Sequence, residues 1–507
     1  MYAQVKSIGL FGLNAFSVTA EISSASGVPS VNIGGLADLS VQESKMRIKA
    51  AAENCGIKLP KAAFTVNLAP ADIKKTGSFY DLPILISMLS VSGIISSDLS
   101  DSAFIGEVKL NGDIAFVAGA LTMAIKAKEM GIKNLYLPFE NAGEAAVVKG
   151  INIYGVKNIA GLVAHLNGQE QIKPATPIEF SDEKDFCLYD FADVKGQDAV
   201  KGAIETAAAG FHNILLIGPP GTGKSMIAKR ISGILPRMTF EESIETTEIH
   251  SVAGILNKEH PLVTARPFRD VSHTASSVGL IGGGSIPKPG EISLAHNGVL
   301  FLDEFPEFDR KVLETLRQPL ENGEITISRS AGTVSYPCNI MLVAAMNPCP
   351  CGNYGAEGKV CTCTSKQVIG YLGKISRPVL DRIDIQVEVP AVKYEELSGR
   401  ERSESSKAIA ERVQKARDIQ LERFRGTNIR TNSQITPDIL HDVCVLDEKA
   451  GDYLKNAFEK SGLSARAYDR ILKVARTCAD LDSSDIIQKK HIARAVQYRT
   501  LDRKYWQ

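Results

Sequence analysis

The stretch from Asn213 to Ile231, NILLIGPPGTGKSMIAKRI, limits the fold of this chain more than any other part of it. Its apolar run Ile214 to Ile217 is short and ends at glycine and proline, which is typical of a buried parallel strand. The next residues fill the G-x-x-x-x-G-K-[ST] template of a phosphate-binding loop at every fixed position, and helical apolar spacing follows. The loop residues are Gly218, Pro219, Pro220, Gly221, Thr222, Gly223, Lys224 and Ser225.

Each residue type in this loop suits a bound polyphosphate. Glycines let backbone N–H groups turn inward, and the following helix presents the positive end of its dipole. Lys224 is predicted to reach the β- and γ-phosphates of ATP, and Ser225 to give a hydroxyl ligand to Mg²⁺. The alternative is a glycine-rich turn, but the strand before it and the helix after it favour the nucleotide loop. The sequence therefore predicts ATP and Mg²⁺ as cofactors.

Composition limits the class of protein further. The chain has 507 residues, 44% of them hydrophobic, so it should divide into about three domains. Lysine plus arginine and aspartate plus glutamate both number 58, so any DNA contact must come from local patches. The N-terminal residues show no basic segment followed by an unbroken apolar one, and no apolar run approaches the roughly 18 residues of a membrane span. We expect a cytosolic protein without membrane contact.

Two later apolar runs end in polar side chains that a nucleotide site needs. Asp303 and Glu304 follow the run Val299 to Leu302, and Asn347 ends the run NIMLVAAMN. Open α/β sheets place their ligands at the carboxyl ends of strands. Asp303 is predicted to hold Mg²⁺ through water, and Glu304 to polarise the attacking water. A solvated loop start at Asp303 and a turn cap at Asn347 are the structural alternatives.

Residues 1 to about 165 form a distinct unit with mixed α/β patterning. Ser17 to Ile22 and Phe64 to Leu68 alternate as strands do, while Ser40 to Cys55 and Ala118 to Met130 carry apolar residues at helical spacing. The unit contains no phosphate-binding loop and no clustered cysteines. It is therefore predicted to be a separate α+β domain.

Two phrases in this unit resemble the Lon protease domain, which has a ribosomal S5 domain 2-like fold. They are NLAPADIKKTGSFYDLP (Asn67 to Pro83) and FIGEVKLNGDIAFVAGAL (Phe104 to Leu121). In the active proteases this fold carries a serine and lysine dyad. Aligned on Asp81, the serine position here falls on Phe79 and the lysine position falls near Met123.

Ser78 and Lys126 lie close to those positions, but each would need a shift of register. A dyad also requires the base within hydrogen-bond reach of the nucleophile. We therefore predict a non-proteolytic domain that binds a partner or packs in a ring.

A polar segment with two prolines, residues 166–189, has no periodicity and is predicted to be a linker. Asp190 to Gln197 and a helix over Asp198 to Ala209 follow. This order resembles the adenine-recognising segment of AAA+ ATPases, and a simple packing helix is the alternative.

The elements of the nucleotide site occur in AAA+ order, and the chain resembles the YifB/ComM family of magnesium-chelatase-like ATPases. The resemblance rests on Phe191 to Pro236, Arg266 to Glu304, Met346 to Pro390 and Ser464 to Leu481. It implies an α/β AAA+ core with a parallel sheet at 190–392, a helical C-terminal lid at 393–507 and a Lon-protease-like domain at 1–165. It also implies a ring of about six subunits and, for the ComM branch, an ATP-driven motor that moves DNA branch points.

The same resemblance assigns three arginines. Arg382, in the segment Ser376 to Asp384, matches the arginine finger, which acts on the neighbouring subunit's nucleotide. An internal Asp–Arg pair is the alternative for Arg382. Arg466 matches the second sensor, and Asn347 matches the first. Arg377 stands where the family usually has glycine and is a second candidate finger.

Two further segments concern the substrate. Gly323 to Pro337 alternates apolar and polar residues around a Ser-Ala-Gly turn, which predicts a β-hairpin. The glycine-rich run Val278 to Gly290 is predicted to be a flexible loop inserted in a helix. Arg329 and Lys288 are the candidate DNA contacts of these segments, and ordinary surface charge is the alternative.

Four of the nine cysteines are clustered within fifteen residues. Cys349, Cys351, Cys361 and Cys363 form two close pairs, which predict a tetrahedral structural Zn²⁺ site. A reduced, metal-free loop is the alternative.

The sequence thus favours a Mg²⁺-dependent ATPase ring that acts on DNA. The alternative is a protein remodeller that drives a partner protein, as the magnesium chelatase motor subunit does. A non-hydrolysing nucleotide switch is less favoured, because Glu304, Asn347 and a candidate finger are all present.

Overall fold

The computed structural model describes the chain except for residues 179, 181–188, 258, 285, 286, 330, 331, 357, 358, 393, 395, 397–402, 462, 463 and 507. The second part of the predicted linker, with Cys187, and the hairpin tip at 330–331 therefore lie outside the described residues. The described residues form two large sheets with helices around them.

The first sheet is built from the N-terminal third of the chain. The strands in this third are β1 (Tyr2–Phe11), β2 (Asn14–Ala25), β3 (Ser30–Gly34), β4 (Ala63–Ala69), β5 (Ser102–Phe104), β6 (Glu107–Val108), β7 (Ile114–Ala115), β8 (Asn134–Pro138) and β9 (Asn152–Val156). The sheet has the order β3-β4-β2-β1-β5-β8-β9, and β6 pairs with β7 separately. Its β1–β2 and β2–β4 pairs are antiparallel, whereas β1, β5, β8 and β9 run parallel. Both strands predicted by alternation are confirmed, as parts of β2 and β4.

Helices cover this sheet and fill its core. They are Leu39–Gln42, Ser44–Asn54, Asp81–Val91, Ala120–Glu129, Ala142–Ala145 and Ile159–Leu166. The single helix predicted over Ser40 to Cys55 is wrong in one respect, since it is divided at Glu43. Ser44 and Arg47, in the second piece, both donate hydrogen bonds to the buried Asp81 carboxylate, which fixes that piece against the core.

The second sheet carries the phosphate-binding loop. The remaining strands are β10 (Ile214–Ile217), β11 (Phe268–Val271), β12 (Gly282–Gly283), β13 (Lys288–Pro289), β14 (Val299–Leu302), β15 (Glu324–Arg329), β16 (Gly332–Pro337), β17 (Met341–Met346) and β18 (Ile385–Glu388). The sheet order is β11-β14-β17-β10-β18, and all neighbours are parallel. Every residue of β10, β14 and β17 is buried, which explains their unbroken apolar sequences.

The helices of this part are Asp198–Gly210, Lys224–Arg230, Phe240–Ala253, Ser277–Ile281, Glu291–Leu294, Arg310–Thr315, Arg317–Asn322, Ser365–Leu372 and Arg377–Leu380. The predicted hairpin is confirmed as the antiparallel pair β15–β16. The glycine-rich run lies between the helices Ser277–Ile281 and Glu291–Leu294, as an insertion should, but it begins inside the first helix and then forms the pair β12–β13, so the prediction of a flexible loop is wrong for those parts. The helix ends at Gly282, whose φ of +103° a residue with a side chain rarely adopts.

The C-terminal part is helical in the described residues. Its helices are Ser406–Arg423, Leu440–Val443, Glu448–Ser461, Ala465–Leu481, Lys489–Gln497 and Leu501–Trp506. Apolar side chains of Ala465–Leu481, among them Ile471, share one buried cluster with Val200 and with β10. The helices therefore pack directly on the second sheet. The predicted domain boundaries remain predictions.

The first sheet and the second sheet are joined by contacts around two helices and a hairpin. The Ser251 hydroxyl donates to Glu144 at 2.5 Å, and the Gly119 N–H donates to the Ser251 carbonyl at 3.0 Å. The turn between β1 and β2 touches the hairpin, since a Cβ on Gly12 would lie 2.2 Å from a methyl of Val334.

Candidate nucleotide-binding site

The predicted phosphate-binding loop joins the carboxyl end of β10 to the helix Lys224–Arg230. Gly221 and Gly223 have φ of +81° and +86°, the left-handed region that glycine adopts without strain. The Gly218 N–H donates to the carbonyl of Met346, the last residue of β17, at 3.1 Å. The loop is thus held between two neighbouring strand ends, where open parallel sheets bind ligands.

Lys224 is a buried cation inside this loop. Its ammonium donates to the carbonyls of Gly218 and Pro219, at 2.7 and 2.9 Å, and to Oδ1 of Asn347 at 3.1 Å. Burial lowers the pKa of Lys224, whereas the nearby Asp303 carboxylate acts in the opposite direction. The predicted lysine and the predicted first sensor therefore meet in one hydrogen-bonded group.

Ser225 and Asp303 provide the oxygen ligands that Mg²⁺ prefers. The Ser225 hydroxyl donates to Oδ2 of Asp303 at 2.5 Å, although 78 positions separate the two residues. A hydroxyl and a carboxylate oxygen at this separation fit the hard-oxygen ligand set of Mg²⁺. The residues present thus fit the predicted magnesium site.

Glu304 extends the site and brings in a residue that the sequence did not single out. It has a φ of +52° and an exposed side chain. Its Oε2 lies 3.2 Å from Nδ1 of His273. His273 follows β11, the edge strand next to β14, so it reaches the same end of the sheet. Only the strand order brings these two residues together, and sequence spacing gave no signal for it.

Gln197 connects the segment before the loop to the loop itself. Its side-chain amide donates to the carbonyls of Thr222, at 3.1 Å, and Pro390, at 3.0 Å. The Asp190 to Gln197 segment therefore contacts the phosphate-binding loop directly.

Arg382 lies at the opposite end of the sheet. It precedes β18, and the Asn213 side chain, which precedes β10, donates to the Arg382 carbonyl at 2.9 Å. Its guanidinium is buried and donates to the Glu321 carboxylate and to the carbonyls of Pro378 and Arg317. Since β10 and β18 are parallel, Arg382 lies at their amino ends and the phosphate-binding loop at their carboxyl end.

The other two candidate arginines are Arg466 and Arg377. Arg466, in the first turn of Ala465–Leu481, is exposed and lines a cavity of about 530 Å³ together with Arg382 and Arg470. Arg377 is exposed at the start of its short helix. Asp384, in the same cavity, is ionised despite its burial, because Arg470 and His212 lower its pKa below the usual value.

The four clustered cysteines come together as predicted. The Sγ atoms of Cys349, Cys351 and Cys361 lie 3.4 to 3.7 Å apart, and all four Sγ atoms lie within 4.8 Å of one another. A tetrahedron of sulfurs at about 2.3 Å from zinc has edges of about 3.8 Å. In addition, the Tyr354 N–H donates to Cys349 Sγ at 3.3 Å. The geometry fits a structural metal site.

The candidate DNA contacts, Lys288 and Arg329, are both exposed on neighbouring hairpins. The Tyr336 hydroxyl of β16 donates to the Pro287 carbonyl at 2.8 Å, which holds the two hairpins together. Nη2 of Arg329 lies 3.2 Å from the position of a Cβ on Gly283. The two cations therefore project from one composite surface.

The residues near the protease dyad positions have other partners. Ser78 donates to the Glu107 carboxylate, and Lys126 pairs with Glu129 at 3.0 Å. Phe79 and Met123 occupy the aligned positions, and neither side chain can act as a nucleophile or a base.

The strand order and the converging polar groups define a P-loop core of the AAA+ class. The sequence matches the family "Magnesium chelatase, subunit ChlI" over residues 190–397, "Subunit ChlI of Mg-chelatase" over 20–141 and "Magnesium chelatase, subunit ChlI C-terminal" over 403–499. The chain is 43% identical over 508 residues to "Competence protein ComM" of Haemophilus influenzae, covering 99% of this chain and 98% of that protein. It is 40% identical over 494 residues to "Uncharacterized protein YifB" of Escherichia coli, covering 97% and 96%.

A more distant relative is the "Magnesium-chelatase 38 kDa subunit" of Cereibacter sphaeroides, 22% identical over 60% of this chain and 88% of that protein. The chain therefore belongs to the YifB/ComM family of magnesium-chelatase-like AAA+ proteins. In the part of the chain that the structure describes, no helix combines the length and the apolar character needed to cross a bilayer.

Proposed function

We propose that the chain is a cytoplasmic, Mg²⁺-dependent ATPase that assembles head to tail into a ring of about six subunits and acts on DNA. The observation that carries the ATPase part is the convergence of Lys224, Ser225, Asp303, Glu304 and Asn347 at one end of one parallel sheet. When bound, ATP with Mg²⁺ supplies the phosphoryl group that water attacks.

The residues of the chain then have separate tasks. The Lys224 ammonium leaves the carbonyls of Gly218 and Pro219 and binds phosphate oxygens instead. Ser225 and Asp303 hold the Mg²⁺ that accompanies the nucleotide. Glu304 accepts a proton from the attacking water, while His273 holds the Glu304 carboxylate in position. Asn347 orients that water. Arg382 lies at the far end of its own sheet, and it serves the nucleotide of the next subunit by exchanging its contacts with Glu321 and two carbonyls for phosphate oxygens.

DNA as the substrate is supported by two observations. The relatives named above include a competence protein, and the paired hairpins carry Lys288 and Arg329 on one exposed surface. Lysine and arginine on such surfaces bind phosphates without regard to sequence. We propose branch migration or helicase action on this basis.

The alternative substrate is a partner protein. The equal numbers of acidic and basic residues, 58 each, and the similarity to a magnesium chelatase subunit favour it. In either case we propose that the N-terminal domain is Lon-protease-like in fold and non-proteolytic, and that the four cysteines hold a structural Zn²⁺.

One assay separates these functions. ATP hydrolysis is measured alone and with single-stranded, duplex and four-way branched DNA, using Glu304→Gln and, as a matched control, Glu307→Gln. Glu307 is an exposed neighbour that pairs with Lys374. We expect Glu304→Gln to reduce turnover at least about a hundredfold and Glu307→Gln to leave it unchanged. Stimulation by branched or single-stranded DNA supports the DNA motor, whereas Glu304-dependent turnover that no DNA alters refutes it.

A further inference from the structure

The four-cysteine loop contacts the nucleotide site directly. Gly352 is buried against the phosphate-binding loop, since a Cβ added to it would lie 2.3 Å from Cδ of Pro220. Cys349, fully buried, comes two residues after Asn347, which accepts a hydrogen bond from Lys224. The four-cysteine loop therefore touches the phosphate-binding loop at Pro220 and begins directly after Asn347.

The same loop contacts the C-terminal helix Leu501–Trp506 on its other side. The Tyr354 and Tyr505 rings lie 6.3 Å apart, and the Tyr505 hydroxyl donates to Glu388, at the end of β18, at 2.5 Å. The ammonium of Lys504 also pairs with Glu388. The loop thus lies between the nucleotide site and the last helix.

The described residues of this loop lack regular secondary structure. Between Met346 and Ser365 the described residues form no helix and no strand, and the loop folds on itself through short turns such as Gly352 N–H to Cys349 carbonyl. Four thiols at near-tetrahedral separations would constrain it strongly once they bind a metal ion.

We propose that one Zn²⁺ on Cys349, Cys351, Cys361 and Cys363 fixes the position of Pro220 and Asn347, so that metal occupancy controls the order of the nucleotide site. The control of hydrolysis that follows rests on the ATPase function proposed above. The positional effect itself does not, because it can be measured without hydrolysis.

The test uses the full chain as the wild type, as Cys361→Ser and Cys363→Ser, and as Cys55→Ser, a cysteine in the N-terminal domain, as the matched control. Zinc content is measured by elemental analysis, and hydrogen–deuterium exchange is measured over residues 216–225 and over β2. We expect about one Zn²⁺ per wild-type and Cys55→Ser chain and almost none in the other two variants. Exchange over 216–225 should rise about tenfold in those variants, and exchange over β2 should not change.

Gly352→Ala separates the contact from the metal. It keeps all four thiols but forces a methyl group into Pro220 at a φ of +80°, so we expect full zinc content and raised exchange over 216–225. ATP turnover should fall in parallel in this variant and in Cys361→Ser.

Three results would overturn the proposal: wild-type chain isolated without zinc, zinc-free variants with wild-type exchange over 216–225, or raised exchange over β2 to the same extent. If hydrogen–deuterium exchange changes as expected but neither the wild type nor any variant hydrolyses ATP, the proposed ATPase function is refuted and the zinc-dependent positioning stands. If hydrolysis is normal in zinc-free chains, the proposed ATPase stands and the control by zinc is refuted.

Discussion

The position of Arg382 gives a prediction about how subunits combine. Arg382 precedes β18, and the phosphate-binding loop follows β10, its parallel neighbour. A four-residue strand is about 13 Å long, so Arg382 is at least that far from the loop of its own chain. It therefore cannot complete its own nucleotide site, and we predict that it leaves Glu321 to complete that of a neighbour.

Two variants that are inactive alone should restore each other when mixed. Arg382→Ala retains an intact loop and lacks the finger, and Lys224→Ala has the opposite defect. Loss of a finger reduces turnover by about 10³- to 10⁵-fold. In rings assembled at random from equal amounts, about a quarter of the interfaces join an intact loop to an intact finger, so activity should recover to about a quarter of wild type.

The assay is steady-state ATP hydrolysis after subunit exchange, with exchange itself followed by energy transfer between labelled chains. Arg425→Ala replaces an exposed arginine that pairs with Glu422 and serves as the control, because it should be active alone. If mixed rings form and their activity stays at the level of the separate variants, Arg382 does not act between subunits. The same mixing experiment with Arg377→Ala in place of Arg382→Ala would then test Arg377, the other candidate finger.

Three more predictions follow from single contacts. Ser225→Ala should raise the Mg²⁺ concentration needed for half-maximal turnover about tenfold, measured by Mg²⁺ titration, and an unchanged midpoint would exclude Ser225 as a ligand. The double variant Lys288→Ala/Arg329→Ala should lower the slope of log affinity for DNA against log salt by about two, and an unchanged slope would exclude both cations. Burial, with the Glu245 and Glu129 charges, raises the pKa of Glu248 to about 7. The folded chain therefore binds more protons than the unfolded chain between about pH 4.5 and 7, and stability falls as pH rises through that window. Between pH 5 and pH 8 the free energy of unfolding should therefore fall by about 2 kcal/mol less in Glu248→Gln than in the wild type, measured by urea unfolding at both pH values. An equal fall in the variant and the wild type would refute this prediction.

Much of the nucleotide site was predictable because its parts are local. The loop template fixes its own backbone, and Asp303 and Asn347 each end an apolar run whose burial shows in its composition. Parallel strands bring their carboxyl ends together, so these residues could be expected to meet. The cysteine pairs were predictable for a similar reason, since their spacing is short.

The remaining features depend on the order of strands and on packing between distant segments. His273 reaches Glu304 because β11 lies beside β14, and no pattern in the sequence specifies that neighbour. The contact of Gly352 with Pro220 depends on the path of an irregular loop. The division of the first predicted helix at Glu43 accompanies hydrogen bonds from Ser44 and Arg47 to Asp81, whose burial is a property of the folded domain.

The turn between β1 and β2 gives the N-terminal sheet a further consequence. Gly12 has no room for a side chain beside Val334, and the Phe11 ring lies against Gly332, so the turn contacts the β15–β16 hairpin close to its tip. A hairpin that shifts during an ATP cycle must push this turn. We therefore predict that the N-terminal sheet moves with the hairpin, and that a fluorophore on its edge strand β3 reports this movement without touching the substrate.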